Sequence, residues 1–454
     1  MRTKTQFLWA LLLLGTALGI GLTLRRRATE VARPELALPG MGKLCFRTTT
    51  YGTNHVVGPA LGRWVARLPG PVGEFLSELL GPFARVSSTG TTTPSLVVWF
   101  VVPEPRALSL VSPPGYSAML ADEHGFTSGQ EVSLAFWPPE TVAFPGFPRR
   151  SKTVEMRVYS RDTNGQTRAV GSLRFPNPLS RAYPVWTPET LPVTRRAGDL
   201  EVTLESFSTG HNNNTTAGPG AGGRTVVEHG LKDEGGENYS AGHVQLRSLS
   251  HPNQAWAVAG VTLFDATGNQ ARNANLSTGD RQSFAFSPSL WPDEAAWRLR
   301  LEVKKTEGFA ADELLVFKAV PLGAMGGTNQ LSFSTNYGGV SVTLVSVVFR
   351  PPRTNDSWSS SDCSALHVTH SALPEGLHLD LAGAATDDGA KPVSHGWSAS
   401  NSERTYYYRD IPAQARTADF TFAVHRSQFV EFMVKPAVAQ PPPDSRKNGK
   451  RGPK

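Results

Sequence analysis

The sequence predicts an all-β protein in which an N-terminal transmembrane helix precedes three tandem antiparallel β-sandwich domains, the first carrying a short helical insertion. Three observations predict it. Of 454 residues, 43 are Gly and 35 are Pro, and only 18% are charged, a turn-rich, charge-poor balance that suits sandwiches better than helical bundles. One long apolar run lies near the N-terminus. A turn-to-strand spacing recurs three times along the rest of the chain.

The apolar run, Phe7 to Leu24, is FLWALLLLGTALGIGLTL and holds no charge. As a helix its 18 residues span about 27 Å, near the lower limit for crossing a bilayer. It is longer than the usual apolar core of a cleaved signal, so an uncleaved membrane anchor with basic flanks is expected at 1–27, contacting the membrane through residues 7–24. Ala17-Leu18-Gly19 leaves cleavage and secretion open. Arg2 and Lys4 precede the run and Arg25-Arg26-Arg27 follow it, so the positive-inside rule votes both ways. The all-β body favours an extracytoplasmic location; a cytoplasm-facing body is the alternative.

The repeats share spacing rather than identity. A polar turn stands at Asp122-Glu123-His124-Gly125, at Asp265-Ala266-Thr267-Gly268 and at Asp387-Asp388-Gly389. An alternating strand follows each: Val154 to Val158, Leu299 to Val303, and Phe420 to Val424. From turn Asp to closing Val the distances are 36, 38 and 37 residues. From that Val to a terminal proline (Pro176, Pro321, Pro436) they are 18, 18 and 12. Apolar–Pro corners are expected at Phe144-Pro145, Trp291-Pro292 and Ile411-Pro412. Opening strands are clearest at 200–207 and 340–348. Period-two alternation marks strands that bury one face.

These signals place a linker at 28–43, a first sandwich at 44–180, a linker at 181–198 and a second sandwich at 199–322. A further linker covers 323–337, a third sandwich 338–438, and a disordered basic tail 439–454. In the first sandwich, residues 61–83 break the β pattern with two short helical stretches, either a lid on the sandwich or a segment lying on the membrane with Trp64 as its anchor. In the second, the Gly-, Asn- and Thr-rich stretch 208–242 is expected to be a flexible loop.

Over 44–438 the units resemble immunoglobulin-like or fibronectin-like β-sandwiches of the sort strung together in membrane-anchored bacterial envelope proteins. The Cys…Trp…Cys pattern of true immunoglobulin domains is missing. The resemblance is to a class and implies fold rather than activity.

The net charge of +7 belongs to the two ends. Residues 1–27 contribute five positive charges and no acid. Arg446, Lys447, Lys450, Arg451 and Lys454, set against Asp444, make the tail +4. The body between is therefore close to neutral, which argues against specific nucleic-acid recognition. The tail can neutralise an anionic partner. Cys45 and Cys363 form no local metal or redox motif and leave either one long-range disulfide or two separate thiols.

Chemical motifs are sparse. Gly218-x-Gly220-x-x-Gly223 matches a dinucleotide fingerprint in letters only, because no helix follows it to present amides to a pyrophosphate. Cys363, His367, His370 and His378 form the one grouping of metal-ligand types, but alternation along a strand sends His367 and His370 to opposite faces. Asp233-Glu234 and Asp387-Asp388 lie in turns or loops, without the rigid separation that paired catalytic carboxylates need. No cofactor, metal or catalytic residue is assigned. The recognition feature is Trp397 with Arg404-Thr405-Tyr406-Tyr407-Tyr408, where Tyr406 and Tyr408 share a strand face. Trp397, Tyr406 and Tyr408 are thus the expected ligand-binding residues, suited to a glycan, a wall polymer or a protein. The expected function is a membrane-anchored scaffold, spacer or adhesive module. The alternatives are an enzyme assembled only in three dimensions and an adaptor acting through the basic tail.

Overall fold

The structure, a computed structural model, describes residues 34–438 with gaps. Outside the described residues lie 1–33, 39–41, most of 60–85, 102–114, most of 124–140, 162–166, 212–237, 278–281, 287–289, 292–293, 353–361, 439–454 and a few single positions. Among the described residues no helix is long and apolar enough to cross a membrane; the expected transmembrane helix at Phe7–Leu24 falls outside them. Most of the 61–83 insertion does too. Within it, Arg63, Val65, Gly70, Pro71 and Glu74 have helical backbone, and Val65 is buried.

The alternating segments become strands with one dry face. Val154, Met156 and Val158 are buried while Glu155 and Arg157 are not, and Leu299, Leu301 and Val303 repeat the pattern. In the first sandwich the strands are β1 (Glu35–Leu38), β2 (Gly42–Val57), β3 (Ser87–Val101), β4 (Gly115–Ala121), β5 (Val132–Ser133), β6 (Thr141–Phe144), β7 (Thr153–Arg161) and β8 (Thr167–Pro176). One sheet runs β1-β2-β3-β6 and the other β5-β4-β7-β8. Phe100, Phe144, Phe147 and Phe175 fill the space between them.

The second sandwich contributes β9 (Val193–Ala197), β10 (Leu200–His211), β11 (Asn238–Ser248), β12 (Trp256–Asp265), β13 (Gln270–Arg272), β14 (Ala274–Ser277), β15 (Gln282–Phe286) and β16 (Trp297–Lys305). The third contributes β17 (Leu314–Pro321), β18 (Thr328–Tyr337), β19 (Val340–Val348), β20 (Ser364–His370), β21 (Leu377–Thr386), β22 (Ser394–Ala399), β23 (Glu403–Tyr408) and β24 (Thr417–Arg426). Two last strands, β25 (Gln428–Val434) and β26 (Ala437–Val438), follow.

The three units share one topology. In each, the strand before the turn Asp pairs antiparallel with the alternating strand: β4 with β7, β12 with β16, and β21 with β24. The opposite sheets correspond as well. The order β1-β2-β3-β6 reappears as β9-β10-β11-β15-β14 and as β18-β19-β20-β23-β22.

The units differ in where the closing strand comes from. In the first sandwich β7 turns back into its own neighbour β8. In the other two the neighbours are exchanged. Strand β17, which follows β16 in sequence, pairs with β24 of the third unit, while β25, which follows β24, pairs with β16 of the second. Strand β26 then adds to β10 in parallel. Val430, Phe432 and Val434 therefore belong to the core of the second sandwich, although the sequence assigned 338–438 to the third. Phe317 and Val320 lie in the third core, although 199–322 was assigned to the second. Only Ser427 separates β24 from β25, so no hairpin loop is available and the chain runs straight on from one sandwich into the other. The missing loop accounts for the third Val-to-Pro distance being 12 residues rather than 18.

Other boundaries shift for a common reason. Parts of the expected linkers are strands, namely 35–38 and 42–43, 193–197, and 328–337. These edge strands carry only two or three apolar residues each, as in TNQLSFSTNY, where Leu331 and Tyr337 pack on the core among polar neighbours. The β18–β19 turn is Gly338-Gly339, with φ of 58° and 82°, the two positive values that a tight two-residue hairpin requires. Residues 208–211 and 238–242 of the expected flexible loop are paired strand, Ser208 with Ala241 and His211 with Asn238. The dinucleotide-like Gly218–Gly223 lies outside the described residues.

Polar contacts lock the sandwiches together. Between the first and second, Arg149 Nη1 donates to the Thr267 carbonyl at 2.8 Å, Asn269 Nδ2 donates to the Phe147 carbonyl at 2.9 Å, and Arg150 Nε meets Glu294 at 2.6 Å. The turn Asp265 accepts from the Thr267 and Asn269 amides at 2.9 Å each and so fixes that surface. Trp291 of the second unit is buried in the core of the first. Between the second and third, Lys304 on β16 meets Asp380 on β21 at 2.8 Å, and Glu302 on β16 meets His378 on β21 at 2.8 Å. Ser427 Oγ donates to Glu302 at 2.7 Å, fastening the crossing point itself.

Candidate functional site

The third sandwich departs from the others beside β21. In the first two units a short strand lines the strand that precedes the turn Asp, β5 along β4 and β13 along β12. After the third turn the chain reads Ala390-Lys391-Pro392 and forms no strand. Proline has no N–H to donate to a neighbour. The edge of β21 is consequently bare, and β22 and β23 face a gap instead of a covering strand.

The gap is a cleft of about 420 Å³ bounded by Asp380, Leu381, His395, Trp397, Arg404 and Tyr406. Trp397 stands opposite Tyr406 in the β22–β23 ladder, so the two rings lie on one side of the sheet. Their surroundings differ. Tyr406 is 4% exposed and packs edge-on against Phe422 with centroids 5.9 Å apart, whereas Trp397 is 66% exposed at the rim. A β-bulge between Ser394 and Gly396 brings His395 to the rim, a usual role for an extra residue in an edge strand. Tyr408, grouped with these two in the sequence, is 1% exposed in the core against Phe420 and takes no part in the cleft. Burial pushes its phenol well above the ordinary value.

Asp380 is the anionic group of the cleft. Lys304 Nζ lies 2.9 Å from Oδ1 and 2.8 Å from Oδ2, and His425 Nε2 lies 3.0 Å from Oδ2. Arg404 Nη1 is 3.6 Å from Oδ1 and donates to the Leu379 carbonyl. Burial alone would raise the Asp380 pKa. The hydrogen bond from His425 and the charge of Lys304 overcome it and hold the carboxyl well below the usual carboxylate range. Asp380 is therefore ionised at neutral pH and already balanced by cationic neighbours.

The remaining groupings have structural roles. His367 Nδ1 lies 2.9 Å from the Thr405 hydroxyl, His370 Nδ1 lies 2.8 Å from the Ser371 carbonyl, and His378 meets Glu302. Among the described residues no group of three His, Cys, Asp or Glu side chains is placed to hold a metal ion. Asp387 and Asp388 cap their own turn by accepting from Arg416, Ala390 and Gln414. Cys45 lies in β2 of the first sandwich and Cys363 just before β20 of the third.

Asp199, Ser248 and His251 bring together the residue types of a hydrolase triad. Ser248 Oγ donates to Asp199 at 2.7 Å, and His251 Nδ1 lies 3.2 Å from the same Asp199 oxygen. A triad serine must instead give its proton to the histidine, so this cluster pins a turn. The sequence had singled out Trp397 and Tyr406 but not Asp380, Lys304 or His425, which lie far apart in the chain. The legible sign of the cleft was Lys391-Pro392 standing where the other units place a strand. No protein-family model matches the chain, and no curated protein matches it closely enough to count as a relative.

Proposed function

We propose that the chain is a membrane-anchored scaffold that holds three firmly docked β-sandwiches outside the cytoplasm and presents a binding surface on the third. The observation that carries this reading is the pair of junctions. Both are built from buried side chains and charge-assisted hydrogen bonds, and the second and third units also trade their closing strands. Domains joined by loose linkers move independently; units tied in this way keep a fixed geometry, as a spacer or a presenting platform needs. The charge-free segment 7–24 supports an anchor, and the near-neutral body supports a partner that is neither nucleic acid nor strongly charged.

Two measurements test the proposal. Spin labels at Arg168 of the first sandwich and Ser398 of the third, with Cys45 and Cys363 replaced by Ala, should give one narrow distance distribution; a broad one would refute the rigid scaffold. Alkaline phosphatase and green fluorescent protein fused separately to the C-terminus should give an active phosphatase and a dark fluorophore in a bacterial host. The reverse pattern would put the body in the cytoplasm and turn attention to the basic tail.

A further inference from the structure

The cleft beside β21 has features that no packing role explains. An indole that is 66% exposed at its rim offers a broad apolar face beside polar groups, a pairing that suits a ligand with both kinds of surface. Val393, at 61% exposed, stands close by in sequence. We infer that this cleft binds an uncharged, gluco-configured oligosaccharide. One pyranose ring stacks on Trp397, and adjacent hydroxyls bond to Asp380 and Arg404. The inference rests on reading the body as a binding scaffold and names its ligand class.

Three physical arguments select this ligand. A gluco-configured pyranose carries its hydroxyls around the rim and its C–H groups on flat faces, which match the broad face of an indole. A hydroxyl both donates and accepts, and the cleft offers both partners side by side. Oδ2 of Asp380 already accepts from Lys304 and His425, while Oδ1 accepts from Lys304 with Arg404 Nη1 only at 3.6 Å, so Oδ1 keeps room for one more donor. The third argument is charge. Of the side chains lining the cleft, Asp380 and Arg404 carry one charge of each sign, so an ionic ligand of either sign meets a like charge there. An extended peptide adding to the outer edge of β22 fits less well, because the bulge at His395 breaks the ladder that such a strand would follow.

Isothermal titration of the full chain, held in a sugar-free detergent, against cellotetraose and chitotetraose tests the inference. At least one should bind, and Trp397→Ala should weaken binding at least about tenfold, a loss of one 1.4 kcal/mol step, while leaving the melting temperature in place. His395→Ala gives a second, independent rim variant with a smaller loss. The inference is overturned if neither saccharide binds or if Trp397→Ala binds like the parent. It is equally overturned if an acetylated Val-Thr-Val-Thr amide binds where the saccharides do not, or if sedimentation reveals self-association that Trp397→Ala abolishes. Failed titrations together with narrow spin-label distances would remove the saccharide and leave the scaffold standing.

Discussion

Phe432 lies in β25 opposite Leu299 and is 1% exposed within the second core, more than 120 residues after the strand it covers. Phe432→Ala should cost about 3–5 kcal/mol, the usual range for emptying a buried phenylalanine site. For a cooperative unit of about 150–250 residues, each kcal/mol lowers the melting temperature by roughly 2–4 °C. The transition that contains the second sandwich should therefore fall by about 6–20 °C. Because β17 and β25 are exchanged, a second sandwich that opens also removes what holds β24 and β17 in place, and the third should open with it. Hydrogen exchange read by mass spectrometry checks this peptide by peptide. Segments 297–305, 364–370 and 417–426 should lose protection together, while 153–161 of the first sandwich keeps its own. If Phe432→Ala sensitises 256–305 and leaves 364–386 unchanged, the second and third units are independent and the coupling argument is wrong.

The other expectations concern the junctions and the cleft. Trp291→Ala withdraws a buried ring from the first core and should cost about 3–5 kcal/mol, with faster proteolysis in segment 178–192 as the readout. Lys304→Met removes the closest cation from Asp380 and should destabilise by about 1–3 kcal/mol, the cost of leaving a buried acceptor poorly satisfied; the double variant with Asp380→Leu should recover part of the loss in a urea titration. Hydrogen bonding to His378 holds Glu302 below its ordinary value, and His425 with Lys304 does the same for Asp380 against its burial. A depressed carboxyl contributes stability that is complete above its unfolded value near pH 4 and lost as pH falls through the folded value. Urea midpoints should hold between about pH 7 and 5 and drop below about pH 4, less steeply in the Lys304→Met, Asp380→Leu variant. Trp397→Ala should leave stability within about 0.5 kcal/mol, as for an exposed side chain.

The repeat was legible because turns and alternating strands are local signals. Asp122, Asp265 and Asp387 each end the strand that pairs with Val158, Val303 or Val424, so one spacing recovers one ladder. Partner choice was not legible. Period-two alternation says which side of β25 is buried but not which sheet buries it, and Val430, Phe432 and Val434 would suit either sandwich. Edge strands such as 328–337 passed for linkers because Leu331, Phe333 and Tyr337 are too thinly spread among polar residues to stand out, and the backbone ladder leaves no mark in the sequence. Half of the candidate site followed the same division. Trp397 and Tyr406 lie close together and draw notice as aromatics, whereas Asp380, Lys304 and His425 meet only after the strands have crossed between sandwiches.

The crossing of β25 also sets an order of events during synthesis. A chain emerging at about 5–20 residues per second supplies all the strands of the first sandwich from contiguous sequence, with Trp291 of the second unit added to its core later. The second must then wait about 6–25 seconds between the appearance of Lys305 and that of Gln428, with the flank of β16 uncovered. During that interval Leu299, Leu301 and the free backbone of β16 form an open sheet edge of the kind that other strands attack. Residues 428–438 are thus the lock on a fold begun more than two hundred residues earlier. A nascent chain interrupted before them lacks the strand that pairs with β16 and leaves that flank of the middle sandwich open.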